Sequence, residues 1–236
     1  MSERIEGLFL RSTKIKHNSI IVDLLTANYG RCSFVFPLSN KKNTPFLFQP
    51  FHFIEFSSGF NNEKKLNRAS SAEIVFPVIN IISDIRKTGY AMLLTEIMNK
   101  IIHQQEKNLN LYLALKKMIL YFENQSFNAV FGVFFIKELL SFFGIQPINN
   151  FNPNRLFFNI EDGKFSSLEN ENMTQQFPNE AFSSLLGTKI DEILNYKIST
   201  TNRRLIMDVL LKYMQYHGLI NTEKVNSIKV LQSLYD

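Results

Sequence analysis

Nine cations in the first third of the chain could perform one kind of chemistry together, the neutralisation of phosphates. Arg11, Lys14 and Lys16 bracket a first turn, and Arg31 directly follows Gly30 at a second, in the stretch SIIVDLLTANYGRCSFVF. Lys41 and Lys42 sit in a third turn, and Lys64, Lys65 and Arg68 come near the last extended stretch. Aromatic residues are interleaved with them. A small sheet that offers Lys and Arg to phosphates while its rings stack on bases is a common way to hold a single strand. Residues 1–80 hold 10 Lys and Arg against 6 Asp and Glu, whereas residues 81–236 hold 16 against 15. The net charge of +5 is therefore concentrated at the N-terminal end, which suits a polyanionic partner. Solubility is the competing reading of the same excess.

Other chemistry finds few residues to run on. No phosphate-cradling loop of the G-x-x-x-x-G-K-[ST] or G-x-G-x-x-G kind is present, and no G-x-S-x-G elbow. His17, His52, His103 and His217 are far apart in sequence, so no two imidazoles share one helix face for a metal. Cys32 is the only cysteine, which excludes a disulfide within the chain and a thiolate zinc site. Glu161/Asp162 and Asp191/Glu192 lie in polar stretches and read as solvated surface. No enzyme, metal or cofactor is expected.

The elements that would carry the cations are short strands. IEGLFLRS, SIIVDLLT, RCSFVFPL and FLFQPFHFIEFSSG are rich in β-branched and aromatic residues, and turn-formers separate them at Lys16–Asn18, Asn28–Gly30 and Ser39–Thr44. With a fifth strand around EKKLNRASSAEI, they predict a small closed barrel, since an open sheet of this size would leave its edges exposed. Phe34 and Phe36 should share one face of their strand. On a strand spanning 46–56, Phe51 and Phe53 should oppose His52, Ile54 and Phe56. One face of that strand fills the barrel, and the other either packs on helices or stacks bases.

From about residue 79 the apolar period becomes helical. Ile85, Met92, Leu93, Ile97 and Ile101 mark a first helix with a break expected near Gly89, and LNLYLALKKMILYFEN marks a second. FNAVFGVFFIKELLSFFGI, residues 127–145, is apolar all round but contains Lys137 and Glu138. A buried helix stopped by Gly144 fits it better than a membrane span. RLFFNIEDGKFSSL reads as a β-hairpin inside an Asn-rich segment. NEAFSSLLG is helical, and TTNRRLIMDVLLKYMQYHG is a long helix with Thr200 or Thr201 as N-cap and Gly218 as stop. NSIKVLQSLY should form a short last helix. Arg203 and Arg204 open the long helix against its dipole, which points to a partner, a buried ion pair or plain solvation. Tyr213, Tyr216 and His217 should pack that helix on its neighbours. The N-terminus lacks a signal-peptide layout, so a cytosolic protein is expected.

These stretches, in this order, resemble the RecO family of bacterial recombination mediators. The likeness begins with SIIVDLLTANYGRCSFVF and continues with FLFQPFHFIEF, which carries a Gln-Pro step at Gln49-Pro50. KTGYAMLLTEIMNKII is similar to the family's first long helix. FGVFFIKELLSFFGIQP is similar to its central helix, with Gly144 and Pro147 at the end. RRLIMDVLLKYMQYHG and NSIKVLQSLYD resemble its closing helices. No single motif is specific, but the ordered set spans nearly the whole chain.

The resemblance implies an α+β chain: an N-terminal OB-fold β-barrel over 1–78, then a helical domain over 79–236 with a small β-hairpin insertion. It implies binding of single- and double-stranded DNA, annealing of complementary strands, and help in loading recombinase onto DNA coated by single-strand-binding protein. Implied partners are RecR and the acidic C-terminal tail of single-strand-binding protein. That tail would suit an apolar pocket with a basic rim, for which Arg203, Arg204 and Lys212 are candidates. A cytoplasmic, nucleoid-associated location follows. Some members carry a four-cysteine zinc module after the central helix; here segment 148–180 has no Cys, so no zinc is expected. The alternative is an adaptor of the repair machinery with weak DNA binding. Three roles stay open for Arg31: a cation at the barrel rim facing DNA, a cap on a neighbouring strand, or a partner of Asp23.

Overall fold

The computed structural model describes residues 2–15, 18–38, 44–103, 107–167 and 177–228. Lys16, Lys41, Lys42 and most of the expected last helix lie outside the described residues. The chain forms two compact units, one from Met1–Gln125 with the segment that begins at Val225, the other from Ser126–Lys224.

The first unit opens with β1 (Glu3–Ile15), β2 (Ser19–Thr26) and β3 (Gly30–Pro37), a meander of antiparallel strands. A helical turn, α1 (Thr44–Leu47), leads to β4 (Phe53–Ser58) and β5 (Asn67–Ile74). The strands close in the order β1-β2-β3-β5-β4, with β3 and β5 parallel. This is the expected five-stranded, OB-like barrel. Period-two alternation sends Ile20, Val22, Leu24, Cys32, Phe34, Phe36, Ile54 and Phe56 into its core. Burial pushes the Cys32 thiol up to about 11, which leaves it inert. At the second turn Gly30 takes φ +65°, where glycine meets no Cβ penalty. The Thr26 hydroxyl braces that turn, accepting from Tyr29 N and donating to Gly30 O.

The strand expected over 46–56 is shorter than its composition suggests. Pro50 has no N–H for a ladder and biases Gln49 away from helix, and Phe51 then takes φ +67°. The chain turns there, and pairing starts only at Phe53. One face of β4 (Ile54, Phe56, Ser58) is buried; on the other Phe53 is buried and packs on α4, while Glu55 and Ser57 are partly exposed.

Three helices follow in this unit: α2 (Ile79–Ser83), α3 (Ile85–Ile101) and α4 (Leu109–Asn124). The break expected at Gly89 falls instead at Asp84, whose carboxylate accepts from Arg86 N and caps α3. Gly89 is buried within α3, where lack of a side chain is no reason to bend. Phe53 packs edge-on against Tyr112 of α4 at 5.7 Å, and Glu6 of β1 accepts from the Tyr112 hydroxyl and from Lys116 Nζ. Buried Lys87 donates to the carbonyls of Phe122, Glu123 and Gln125 at the end of α4. The returning segment docks on α3, where the Glu96 carboxylate accepts from Asn226 N, Ser227 N and Ser227 Oγ.

In the second unit, α5 (Val130–Ser141) is buried nearly all round and ends where Gly144 takes φ +72°. The charge embedded in it is fully used. Lys137 Nζ donates to Thr188 O at 2.8 Å, pairs with Glu138 at 2.8 Å and lies 4.5 Å from the Phe134 ring centre. β6 (Phe157–Asn159) and β7 (Lys164–Ser166) form the expected hairpin, followed by α6 (Asn179–Gly187), a 3-10 turn over Ile190–Asn195 and α7 (Thr200–Tyr216). Ser199 caps α7, one residue before the expected Thr200, because its extended backbone lets its hydroxyl accept from Asn202 N. Tyr213 is buried and His217 Nε2 meets Ile160 O at 3.2 Å, but Tyr216 is 57% exposed and packs on no core. No described helix is long and apolar enough to cross a membrane.

Candidate nucleic-acid interface

Strand register fixes which side chains the barrel turns outward. With Ile20, Val22, Leu24, Phe34 and Phe36 inside, their alternates form three rows across the sheet. Arg11, Asp23 and Ser33 make one row, and Ile15, Ser19 and Pro37 another. Between them run Thr13, Ile21, Val35 and Arg68 on four neighbouring strands.

Asp23 organises this face. Its carboxylate accepts from Ser33 Oγ at 2.5 Å, Arg31 Nη2 at 2.8 Å and Arg11 Nε at 2.9 Å. Burial alone would push the Asp23 carboxyl up. The bonds from Ser33 and Arg31, with the charges of Arg31 and Arg11, outweigh it and hold the group below the ordinary carboxylate range.

The two arginines differ in purpose. Arg31 is 15% exposed at its side chain and is turned towards the end of α3. Nη1 donates to Asn99 O at 2.7 Å and Ile102 O at 2.6 Å, and Nη2 also reaches Asn99 Oδ1 at 2.9 Å. Of the three roles open for it, pairing with Asp23 is observed, together with a cap on a helix end that sequence gave no reason to expect. Arg11 is 59% exposed and its bond to Asp23 uses Nε, the inner edge of the guanidinium.

Of the remaining barrel cations, Arg68, Lys64, Lys65 and Lys14 are exposed. Arg68 is exposed on β5 and lines a groove of about 470 Å³ with Val35, Pro37, Ser57, Ser70 and Gly59. Lys64 and Lys65 are exposed in the loop before β5. That loop is shaped by Asn67, whose Oδ1 accepts from Asn61 N and whose Nδ2 donates to Asn61 O. Lys14 is exposed near the end of β1. Arg4, by contrast, is bound to Glu55 and Glu73.

In the second unit Arg204 and Lys212 are exposed and Arg203 is half-buried on α7. Asp208, exposed one turn from both Arg204 and Lys212, is partly desolvated by its neighbours, which pushes its carboxyl up, and the charges of Lys212 and Arg204 pull it partly back. A pocket of about 420 Å³ is lined by Phe151, Leu156, Phe157, Pro178 and Ala181, with Glu180 and Asn202 at its polar side. None of the three cations lines it, although Asn202 adjoins Arg203 in the chain. Sequence reasoning missed this pocket because its walls come from three separated segments. Among the described residues, no three His, Cys, Asp or Glu side chains are grouped to hold a metal ion.

Comparison with known proteins agrees with these features. Residues 1–78 match the family described as Recombination protein O N terminal, and residues 82–152 match Recombination protein O C terminal. Over the full length of both chains, the protein is 24% identical to a DNA repair protein RecO from Flavobacterium psychrophilum and 25% identical to one from Bacteroides fragilis. A third, from Flavobacterium johnsoniae, is 21% identical, again over both full chains.

Proposed function

The chain belongs to the RecO family of DNA repair proteins, and from that premise we propose a recombination mediator that works by binding rather than catalysis. It anneals complementary single strands and helps load recombinase onto DNA coated by single-strand-binding protein, in the cytoplasm at the nucleoid. The observation that carries this reading is the outer surface of the barrel, where Arg11 on β1 and Arg68 on β5 stand exposed on strands that barrel closure links through β2 and β3. Lys14, Lys64 and Lys65 are exposed as well, and Lys16, Lys41 and Lys42, outside the described residues, add to the positive charge of the N-terminal third by sequence. The barrel, residues 1–78, is the DNA-binding module for single and double strands alike. Arg31 contributes by holding α3 against the barrel.

Annealing of complementary strands coated with single-strand-binding protein, with and without the protein at two salt concentrations, tests this. Salt-sensitive acceleration is expected. Folded protein that gives no acceleration would refute the mediator reading.

The adaptor reading has its own supporting observation, the apolar pocket of the second unit. An acidic peptide such as the tail of single-strand-binding protein would place an apolar side chain among Phe151, Leu156 and Phe157 and its charges towards Arg203, Arg204 and Lys212. RecR is the second protein partner in this scheme. Ala181→Trp, which fills the pocket, should abolish binding of the tail peptide and leave DNA binding by the barrel intact. Unchanged peptide binding would move the tail to another surface.

A further inference from the structure

The rings of the barrel are largely taken up by packing. Phe34, Phe36, Phe53 and Phe56 are fully buried. Tyr29 and Phe60 stack on each other at 4.0 Å, and the Tyr29 hydroxyl donates to Glu3. Among the described residues of 2–78, Phe46 is the only strongly exposed ring, at 53%. It lies on α1, edge-on to His52, and not on the outward face. The stacking that interleaved aromatics lead one to expect therefore has no platform on that face.

What the face does offer is different. Arg11 on β1 and Arg68 on β5 stand three strands apart by way of β2 and β3, around the outer surface of the closed barrel. Thr13 follows Arg11 on β1, the aliphatic Ile21 and Val35 lie on the strands between, and Ser57 and Ser70 line the groove beside Arg68. Arg11 spends Nε on Asp23, which keeps its outer edge oriented for the bidentate geometry that phosphate favours. Hydroxyls and guanidinium groups suit phosphodiester oxygens, and small aliphatic side chains suit the sugars.

We propose that this face holds single-stranded nucleic acid by its sugar-phosphate backbone alone, Arg11 and Arg68 seating phosphates and the bases pointing away from the protein. The inference rests on the DNA-binding reading of the barrel and deepens it. A strand held this way keeps its pairing edges open to a complementary strand, which annealing requires. A strand stacked on protein rings must first be released. Binding is also indifferent to sequence.

The test uses the full-length protein and two labelled strands of equal length, oligothymidylate and an abasic oligomer with the same phosphodiester backbone, read by fluorescence anisotropy. The two should bind within about twofold of each other, since phosphates supply the affinity. Each lost stacked base would cost at least about fivefold. An abasic strand weaker by about tenfold or more overturns the inference, and loss of that difference in Phe46→Ala would identify the ring responsible. Arg68→Gln should weaken both strands alike and reduce the salt slope of each by about 0.7. No effect of that substitution on either strand also overturns the inference. Failure of both strands to bind wild-type protein is a separate outcome, which sinks the DNA-binding reading itself.

Discussion

Arg31 and Asp23 meet at 2.8 Å across adjacent strands, and both side chains are nearly closed to solvent. The pair sits where the barrel touches the end of α3, so a cation that sequence offers to DNA is committed to holding the first unit together. Replacing Arg31 by Ala leaves the Asp23 carboxylate buried with only Ser33 and the peripheral Arg11. It also strips the donors from two carbonyls near the end of α3. A loss of about 3 kcal/mol in urea unfolding is expected. The salt slope of DNA binding, measured where the variant is folded, should not change. A slope reduced by about 0.7 would return Arg31 to the DNA-contacting set.

Acid should loosen the same unit. Asp23 and Glu96 both titrate below their ordinary range. Burial opposes this, but Ser33 and Arg31 prevail at Asp23, and Ser227 and Asn226 at Glu96. A carboxylate depressed on folding adds stability above its unfolded pKa, near 4. That stability is lost as pH falls through the folded value. Melting temperature should therefore be flat from neutral pH to about 5 and fall below about 4. Asp23→Asn should lower stability at neutral pH and flatten the acid limb. An acid limb as steep as in wild type would remove Asp23 from this account.

The exposed cations should behave in the opposite way to Arg31. Lys64→Ala, Lys65→Ala and Arg68→Ala should each leave stability within about 0.5 kcal/mol, as surface changes do. Each should lower the salt slope for single strands by about 0.7 if its charge neutralises one phosphate. Anisotropy titrations at several salt concentrations read this directly. Cations whose removal leaves the slope untouched lie off the path of the strand.

Gly163 closes the hairpin of the second unit at φ +65°, and a Cβ there would press on the Tyr213 hydroxyl. Gly163→Ala combines left-handed backbone strain with that clash and should cost about 2 kcal/mol or more. Hydrogen exchange should show faster opening of β6, β7 and α7, with the barrel amides protected as before. Equal loosening of the barrel would mean that the two units unfold together.

Most of the fold was legible because period-two and helical patterns are local. The five strands, the long helices and the hairpin could all be read from neighbouring residues. The misplaced details depend on partners or on backbone chemistry. The helix break moved from Gly89 to Asp84 because a capping carboxylate sets a helix start more firmly than a glycine ends one. The strand expected from Phe46 was cut at Pro50 and Phe51 by backbone constraints that side-chain hydrophobicity does not express. The candidate site was less legible. Its cations could be counted, but which were free could not be known. The carbonyls that Arg31 serves, Asn99 and Ile102, lie about seventy positions further along the chain. Only Asp23, eight residues away, was visible as a partner.

The return of the chain to α3 has a consequence for how the protein is made. The second unit, Ser126–Lys224, is translated before Asn226 and Ser227 exist. Until they emerge, the Glu96 carboxylate faces no donors from that segment, although the barrel and its helices are already outside the ribosome. Completion of the first unit is thus tied to successful synthesis of the second. A product that stops early carries a whole barrel but an unfinished α3 surface, a difference that quality-control proteases can read.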